Sequence, residues 1–431
     1  PQDEMASRGD PYFSNINLFT SDSDWISFKA VVSTSADQIA VAPGYLKREW
    51  KQNGRNYFEY DMGDTKIANF YSFISGRFAV KRDHWKNVKL EIYYQPGHEY
   101  NLARMMDACK KGLAYFEENF GPYQFTQFRI LEFPRYRQFA QSFPNTVPYS
   151  EALGFIAHRY KREDIDEVFY ITAHELAHQW WGPQLIGSQT QGSNMMSETL
   201  AQYSALMLVE KEYGPDNIRK FLRHELDTYL RGRGGETRKE PPLALVQREP
   251  YVWYNKGSLA MYALRDSIGE RRLNSALRGF LQRRRFASGP YPDTREFVAA
   301  MRAATPPDQQ YLVEDLFDSI VLFDNKAVSA TWTTAPDHKY KVALAVSARK
   351  LKADGSGAET EIPLNDLIEV GVFKGTAEDQ KPLYLEKRRI NAKSEKFEVV
   401  VDQKPDRAGI DPYNKLIDRN PEDNTTNVSK Q

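Results

Sequence analysis

The stretch at 171–182 reads ITAHELAHQWWG and sets His174 and His178 four residues apart, with Glu175 directly after the first histidine. On an α-helix, residues four apart lie one above the other on the same face, so the two imidazoles can converge on one metal ion. Glu175, turned by about 100° from His174, lies at the edge of that face and within reach of a water held by the metal. Catalytic zinc takes three protein ligands and leaves a fourth position for water. Between His178 and Glu210 the only acidic residue is Glu198, early in the next helical stretch. A helix, a crossing loop and a second helix facing back would bring that glutamate to the two histidines. The expected set is one Zn2+ held by His174, His178 and Glu198, with Glu175 as general base toward a water whose pKa the metal lowers. Hydrolysis of a carbonyl compound there also needs an electropositive donor for the oxygen that gains charge. His84, His98, His158, His224 and His338 show no comparable pairing and are read as ordinary surface or core histidines, with His158 the one to check as a near neighbour of the site.

These residues need elements to hold them. Asp164 or Asp166 is placed to cap the metal helix, with Glu167 in its first turn. Upstream, 25–95 alternates apolar and polar residues at a period of two, with Asn53-Gly54 as a hairpin signal. A helix is expected at 100–120, then strands at 128–133 and 153–157. The region after the metal helix reads as helices at 194–213, 215–230, 254–268, 271–285, 294–303 and 311–322, with Gly and Pro at their ends. From 331 the period returns to two and predicts a β-sandwich. The fold class is therefore multidomain α+β. An N-terminal antiparallel β-domain (1–97) precedes a mainly α, zinc-binding catalytic domain (98–325), a C-terminal β-sandwich (326–419) and a frayed tail (420–431).

Composition narrows the function further. Among 431 residues there are 58 Lys plus Arg and 58 Asp plus Glu, so the net charge of zero gives no bulk electrostatic case for nucleic acid or an anionic membrane. The basic run from Arg271 through Arg285 is read as a solvated helix face. Cys109 is the only cysteine, which excludes an intrachain disulfide and a cysteine metal cluster. No run approaches the length of about 18 apolar residues that a membrane span needs. The chain starts without Met in a polar run, as expected of a segment of something longer.

HELAHQWWG, the downstream Ser197-Glu198-Thr199-Leu200-Ala201 and the segment Tyr254-Asn255-Lys256-Gly257 together resemble the gluzincin aminopeptidases of the aminopeptidase N and leukotriene hydrolase family. The resemblance covers about 25–330. It implies a thermolysin-like catalytic domain, Glu198 as third zinc ligand, Tyr254 as the tyrosine that stabilises the reacting oxygen, and a peptide as substrate. It is closest to the bacterial branch joined to an ABC-2-type permease, which implies an extracytoplasmic part of a membrane protein. Trp180 and Trp181 are read as packing the end of the metal helix, Lys256 and Arg265 as structural pairs, and Gln202 as a support for the metal ligands.

Three departures accompany the resemblance. The interval from His178 to Glu198 holds 19 residues, one more than is usual in the family. The Gly-Ala-Met-Glu-Asn strand that binds a substrate's free amino group is replaced by Gln141-Ser142-Phe143-Pro144-Asn145, with Pro144 where the glutamate should stand and Glu151 the nearby carboxylate able to replace it. The large helical C-terminal domain of many members is absent, so a more open cleft is expected. The rival readings are an endopeptidase or other hydrolase on the same site, and a zinc-bearing domain that senses peptides for a transporter.

Overall fold

The alternating pattern of the first hundred residues folds into antiparallel strands, and the hairpin at Asn53-Gly54 forms with both residues at positive φ, 50° and 72°. The computed structural model describes residues 4–19, 23–158, 165–377 and 379–431. They fall into two compact units, Pro1–Val209 with Glu270–Ala304, and Glu210–Gly269 with Thr305–Gln431.

In the first unit, strands Lys29–Ser35, Arg55–Asp61 and Tyr45–Gln52 make a three-stranded sheet with Arg55–Asp61 at its centre. The site is carried by the sheet that follows. Its strands are β1 (Ala79–Trp85), β2 (Val88–Tyr94), β3 (Gln127–Phe133) and β4 (Thr146–Ser150), in the order β4-β3-β2-β1. β1 and β2 pair antiparallel, whereas β2, β3 and β4 run parallel. Every residue of β3 and β4 is buried, as parallel strands covered on both faces require. Helix α1 (Leu102–Phe120) is the crossover between β2 and β3. Its apolar stripe, including Met105, Cys109, Leu113 and Phe116, is buried.

Helix α2 (Glu167–Ala177) packs on α1 at Gly112, where a Cβ would lie 2.6 Å from Leu176 Cδ2 and 3.4 Å from Phe116. A glycine in mid-helix lowers helix propensity, and here it admits the neighbouring helix. Gly112→Val is therefore expected to cost about 1–3 kcal/mol through overpacking, measured by denaturant unfolding. Retained stability would mean that the two helices can separate freely at this point.

Several expected boundaries shift. The segment 153–157, expected as a strand, is a run of turns in which Leu153 N–H and Gly154 N–H donate back to the Ser150 carbonyl at 3.1 and 3.3 Å. The expected single helix at 194–213 is a π-helical turn, Met195–Thr199, followed by α3 (Leu200–Tyr213). In Glu270–Arg284 the basic run is only partly a solvated face, because Arg278 Nε donates to the Asn119 carbonyl at 3.1 Å and so caps the end of α1.

The second unit holds the helices Ile218–Gly235 and Gly257–Ile268 and two sheets whose long strands pair antiparallel. One is built on Ile320–Thr334, Tyr340–Ala353 and Ser394–Val401, the other on Lys381–Ile390, Asp366–Lys374 and Arg407–Ile410. Val342, Leu344, Val346, Val370, Val372 and Ile410 are buried in one apolar cluster there. The helix expected at 311–322 stops at Asp318, and Ile320 already belongs to a strand. The tail expected to fray from 420 onward is instead ordered by pairing. Thr425–Asn427 lies against Arg407–Ile410, and Ser429–Lys430 lies beside Ile320–Thr334. Lys256 pairs with Glu240 and Arg265 with Glu210, both as structural ion pairs. Among the described residues, no helix is long and apolar enough to cross a membrane.

Candidate metal centre

The metal helix is fixed at both ends by its own sequence. Asp166 caps its start by accepting the Phe169 N–H at 2.9 Å, while its other oxygen takes Arg104 Nε of α1 at 2.7 Å. Asp164, the alternative cap, lies outside the described residues. At the other end the chain leaves the helix at His178, and the two tryptophans anchor it. Trp180 Nε1 donates to the Gly121 carbonyl at 2.8 Å and Trp181 Nε1 to Ser204 Oγ at 2.9 Å. Their rings meet Phe116 and Phe120 with centroids 5.5 and 4.9 Å apart. Both tryptophans are buried, in keeping with a packing role.

Between these anchors three donors converge. His174 Nε2 and His178 Nε2 lie 3.0 Å apart, and Glu198 Oε2 lies 3.4 Å from the first and 3.1 Å from the second. Glu198 is carried by the π-helical turn Met195–Thr199, a wider turn often found at functional positions. Nδ1 of His178 is hydrogen-bonded to the Trp181 carbonyl at 3.0 Å, which orients Nε2 toward the focus. Gln202 hydrogen-bonds to His174 from the first turns of α3.

Electrostatics follows from this packing. Burial pushes the Glu175 carboxyl up to about 7, with Glu198 adding and His178 opposing. Burial also works against charge on Glu198, yet His178 and His174 hold its carboxyl well below the usual range. Burial lowers His178, but Glu198 outweighs it and brings the imidazole up to about 9. For His174 burial dominates and the shift is downward. Two imidazole nitrogens and one carboxylate oxygen facing a common point suit a cation there better than protons alone. Glu175 Oε2, in a residue 7% exposed, has no hydrogen-bond partner among the described residues. A buried carboxylate oxygen left free beside such a donor set suits a base waiting for a water. The donors therefore fit one zinc ion.

The segment 141–145, which differs from the family's amine-binding motif, forms a turn ahead of β4 and is tied to this helix. Ser142 Oγ donates to the Glu175 carbonyl at 2.8 Å. Gln179 Nε2 donates to Ser142 Oγ at 2.7 Å and to the Phe143 carbonyl at 2.9 Å, and Gln179 Oε1 accepts the Asn145 N–H at 2.8 Å. Gln179→Ala would leave buried groups of this segment unsatisfied, so a stability loss of about 1–3 kcal/mol is expected. Denaturant unfolding alongside zinc analysis checks it, with zinc content expected to stay the same.

The other residues singled out in the sequence fall elsewhere. Tyr254 belongs to the second unit, on the π-helical turn Tyr251–Lys256. His158 is exposed and is not among the residues converging with His174. Glu151 faces His98 and both the backbone N–H and the guanidinium of Arg135. The grouping of His98 with Glu132 and Glu151 was not legible in the sequence, because neighbouring strands bring together residues that are far apart in the chain.

Residues 104–318 match the Peptidase family M1 domain. Endoplasmic reticulum aminopeptidase 2 of Homo sapiens is 24% identical over 204 residues, covering 46% of this chain and 21% of that protein. Probable aminopeptidase 1 of Sulfurisphaera tokodaii is 22% identical over 245 residues, covering 54% and 31%. The matches thus span only about a fifth to a third of these relatives' own lengths. Among solved structures, an M1 zinc metallopeptidase from Deinococcus radiodurans superposes with a TM-score of 0.53 at 19% identity, covering 68% of this chain and 64% of that one. At that identity the likeness concerns the fold.

Proposed function

The chain belongs to the gluzincin aminopeptidase family through its residues 104–318, and from that premise we propose that it is a zinc-dependent metallopeptidase that removes N-terminal residues from peptides. The observation that carries this reading is the convergence of His174, His178 and Glu198 beside the unpartnered, buried Oε2 of Glu175. Binding alone would need the three ligands but no free carboxylate.

When bound, zinc supplies a Lewis acid that polarises the scissile carbonyl and makes a water acidic near neutral pH. The protein's own groups do the rest. Glu175 accepts the proton of the attacking water and returns one to the departing amine. A group held near 7 by burial suits both directions of that transfer at neutral pH. The motif resemblance alone gives Tyr254 the role of donating a hydroxyl hydrogen bond to the oxygen that gains charge. His178, steadied by the Trp181 carbonyl, and His174, supported by Gln202, keep the ligand nitrogens aimed. The same reading takes 98–325 as the catalytic domain, a span that contains the family match at 104–318, with 1–97 as an N-terminal β-domain and 326–419 as a β-sandwich. Attachment to an ABC-2-type permease and an extracytoplasmic setting rest on the motif resemblance alone.

One observation favours a second reading. By the motif resemblance Pro144 occupies the place of the amine-binding glutamate, and it sits in the turn that leads into β4, a segment held by Ser142 and Gln179. An endopeptidase on the same zinc site does not need that carboxylate. Free-amino aminoacyl amides and N-blocked internally quenched peptides separate the two. Cleavage of the free-amino substrates, abolished by a chelator, is expected; cleavage of the blocked peptides alone would overturn the aminopeptidase reading.

A further inference from the structure

We propose that His98, Glu132 and Glu151 form a second divalent-cation site, suited to Zn2+ or Mn2+, where the carboxyl ends of three neighbouring parallel strands meet. The three residues come one from each strand's end. Glu132 is near the end of β3, Glu151 follows β4 directly, and His98 lies in the turn after β2. In parallel sheets the crevice outside the carboxyl ends of the strands is where ligands bind.

The donors are pre-set by backbone hydrogen bonds. The turn after β2 closes through His98 N–H to the Gln95 carbonyl at 3.0 Å, with Gly97 at φ 98°. Glu132 Oε2 accepts the Gln95 N–H at 2.5 Å, so this carboxylate holds the turn that presents the histidine. Its other oxygen, Oε1, contacts His98 Nδ1 closely. Glu151 is locked by its N–H to the Phe133 carbonyl at 2.9 Å, and its Oε1 accepts the Arg135 N–H at 3.1 Å and faces the Arg135 guanidinium at 3.8 Å. That leaves Glu151 Oε2 turned toward His98 Nδ1 at 3.8 Å. The donor atoms lie within 4.8 Å of one another, the same convergence as at His174, His178 and Glu198.

Two further observations point to a cation. Glu132 is 1% exposed, and among the described residues its ion-pair partner is His98, whereas the comparably buried Glu240 has both Arg233 and Lys256. A buried carboxylate calls for compensation. The cluster also borders open space, because Glu132 and Gln95 line a cavity of about 820 Å³ with Phe133, Pro134, Tyr136 and Phe139. A metal site needs such an entry path and room for water ligands. One imidazole with two carboxylates is a mixed donor set that first-row divalent ions accept.

An imidazolium between two carboxylates would hold the same three groups without a metal, and zinc stoichiometry on the full chain distinguishes the two. These donors share no residue with the group of His174, His178 and Glu198, so the proposal survives failure of the peptidase reading. After equilibration with zinc and removal of the excess, two ions per chain are expected. His98→Gln, Glu151→Gln and His174→Ala should each reduce the count to one, with unchanged circular dichroism. As a second readout, a His174→Ala, His178→Ala chain should still melt at a higher temperature with zinc, and adding His98→Gln should remove that rise. A count of two that persists in both His98→Gln and Glu151→Gln would overturn the proposal, as would a single ion lost with His174. A single ion lost with His98 but kept in His174→Ala would support this site while refuting the zinc assignment at His174.

Discussion

Glu175→Gln is expected to leave zinc bound and lower kcat by about 10²–10⁴-fold, the contribution of a positioned general base. The substitution keeps the side chain's length and removes only its capacity to take a proton. Glu175 is turned away from the three-ligand focus enough that it has no place in the cluster of His174, His178 and Glu198. Its backbone carbonyl is held by Ser142 Oγ at 2.8 Å, so the helix register should survive. The measurement is turnover of an aminoacyl amide together with metal analysis of the same sample. Full activity at full zinc content would remove Glu175 from the reaction, and loss of zinc would make it a ligand instead.

Glu198→Ala is expected to have the opposite signature, in which metal is lost and activity falls with it. Removal of an outer partner of a metal ligand already costs about 10–100-fold in affinity, so deleting a direct ligand should exceed that range. It also leaves His174 Nε2 and His178 Nε2 facing each other at 3.0 Å with no carboxylate between them. Metal competition with a chromophoric chelator gives the affinity, and excess zinc should restore part of the activity. Unchanged affinity would mean that the third ligand lies elsewhere.

The convergence of His174, His178 and Glu198 was legible because it depends on local spacing. His174, Glu175 and His178 need only a helix, and the intervals to Glu198 contain no rival acid. The cap at Asp166, the tryptophans closing the helix and the strand pattern of 25–95 were readable for the same reason, since they depend on neighbours in sequence. What sequence missed depends on partners far along the chain. Leu153 is followed by apolar residues that suit a strand, yet backbone bonds to Ser150 and Glu151 curl the segment into turns. The tail beyond 420 is polar and reads as frayed, but it finds free strand edges to pair with. His98 looked ordinary because Glu132 and Glu151 come near it only through the parallel register of β2, β3 and β4.

The π-helical turns under Glu198 and Tyr254 give the two elements a freedom in evolution that a regular helix lacks. A π turn accommodates one residue more than the α turn it replaces, and one residue on a helix is about 100° of rotation. Glu198 is followed at once by α3, whose Leu200, Tyr203 and Met207 are buried, and Tyr254 by the helix whose Leu259, Met261 and Leu264 are buried. A residue gained or lost ahead of either helix can therefore be absorbed in the turn, moving the functional side chain while the apolar stripe keeps its place. Reactive residue and core become separately adjustable, so the chemistry can change without rebuilding the interior.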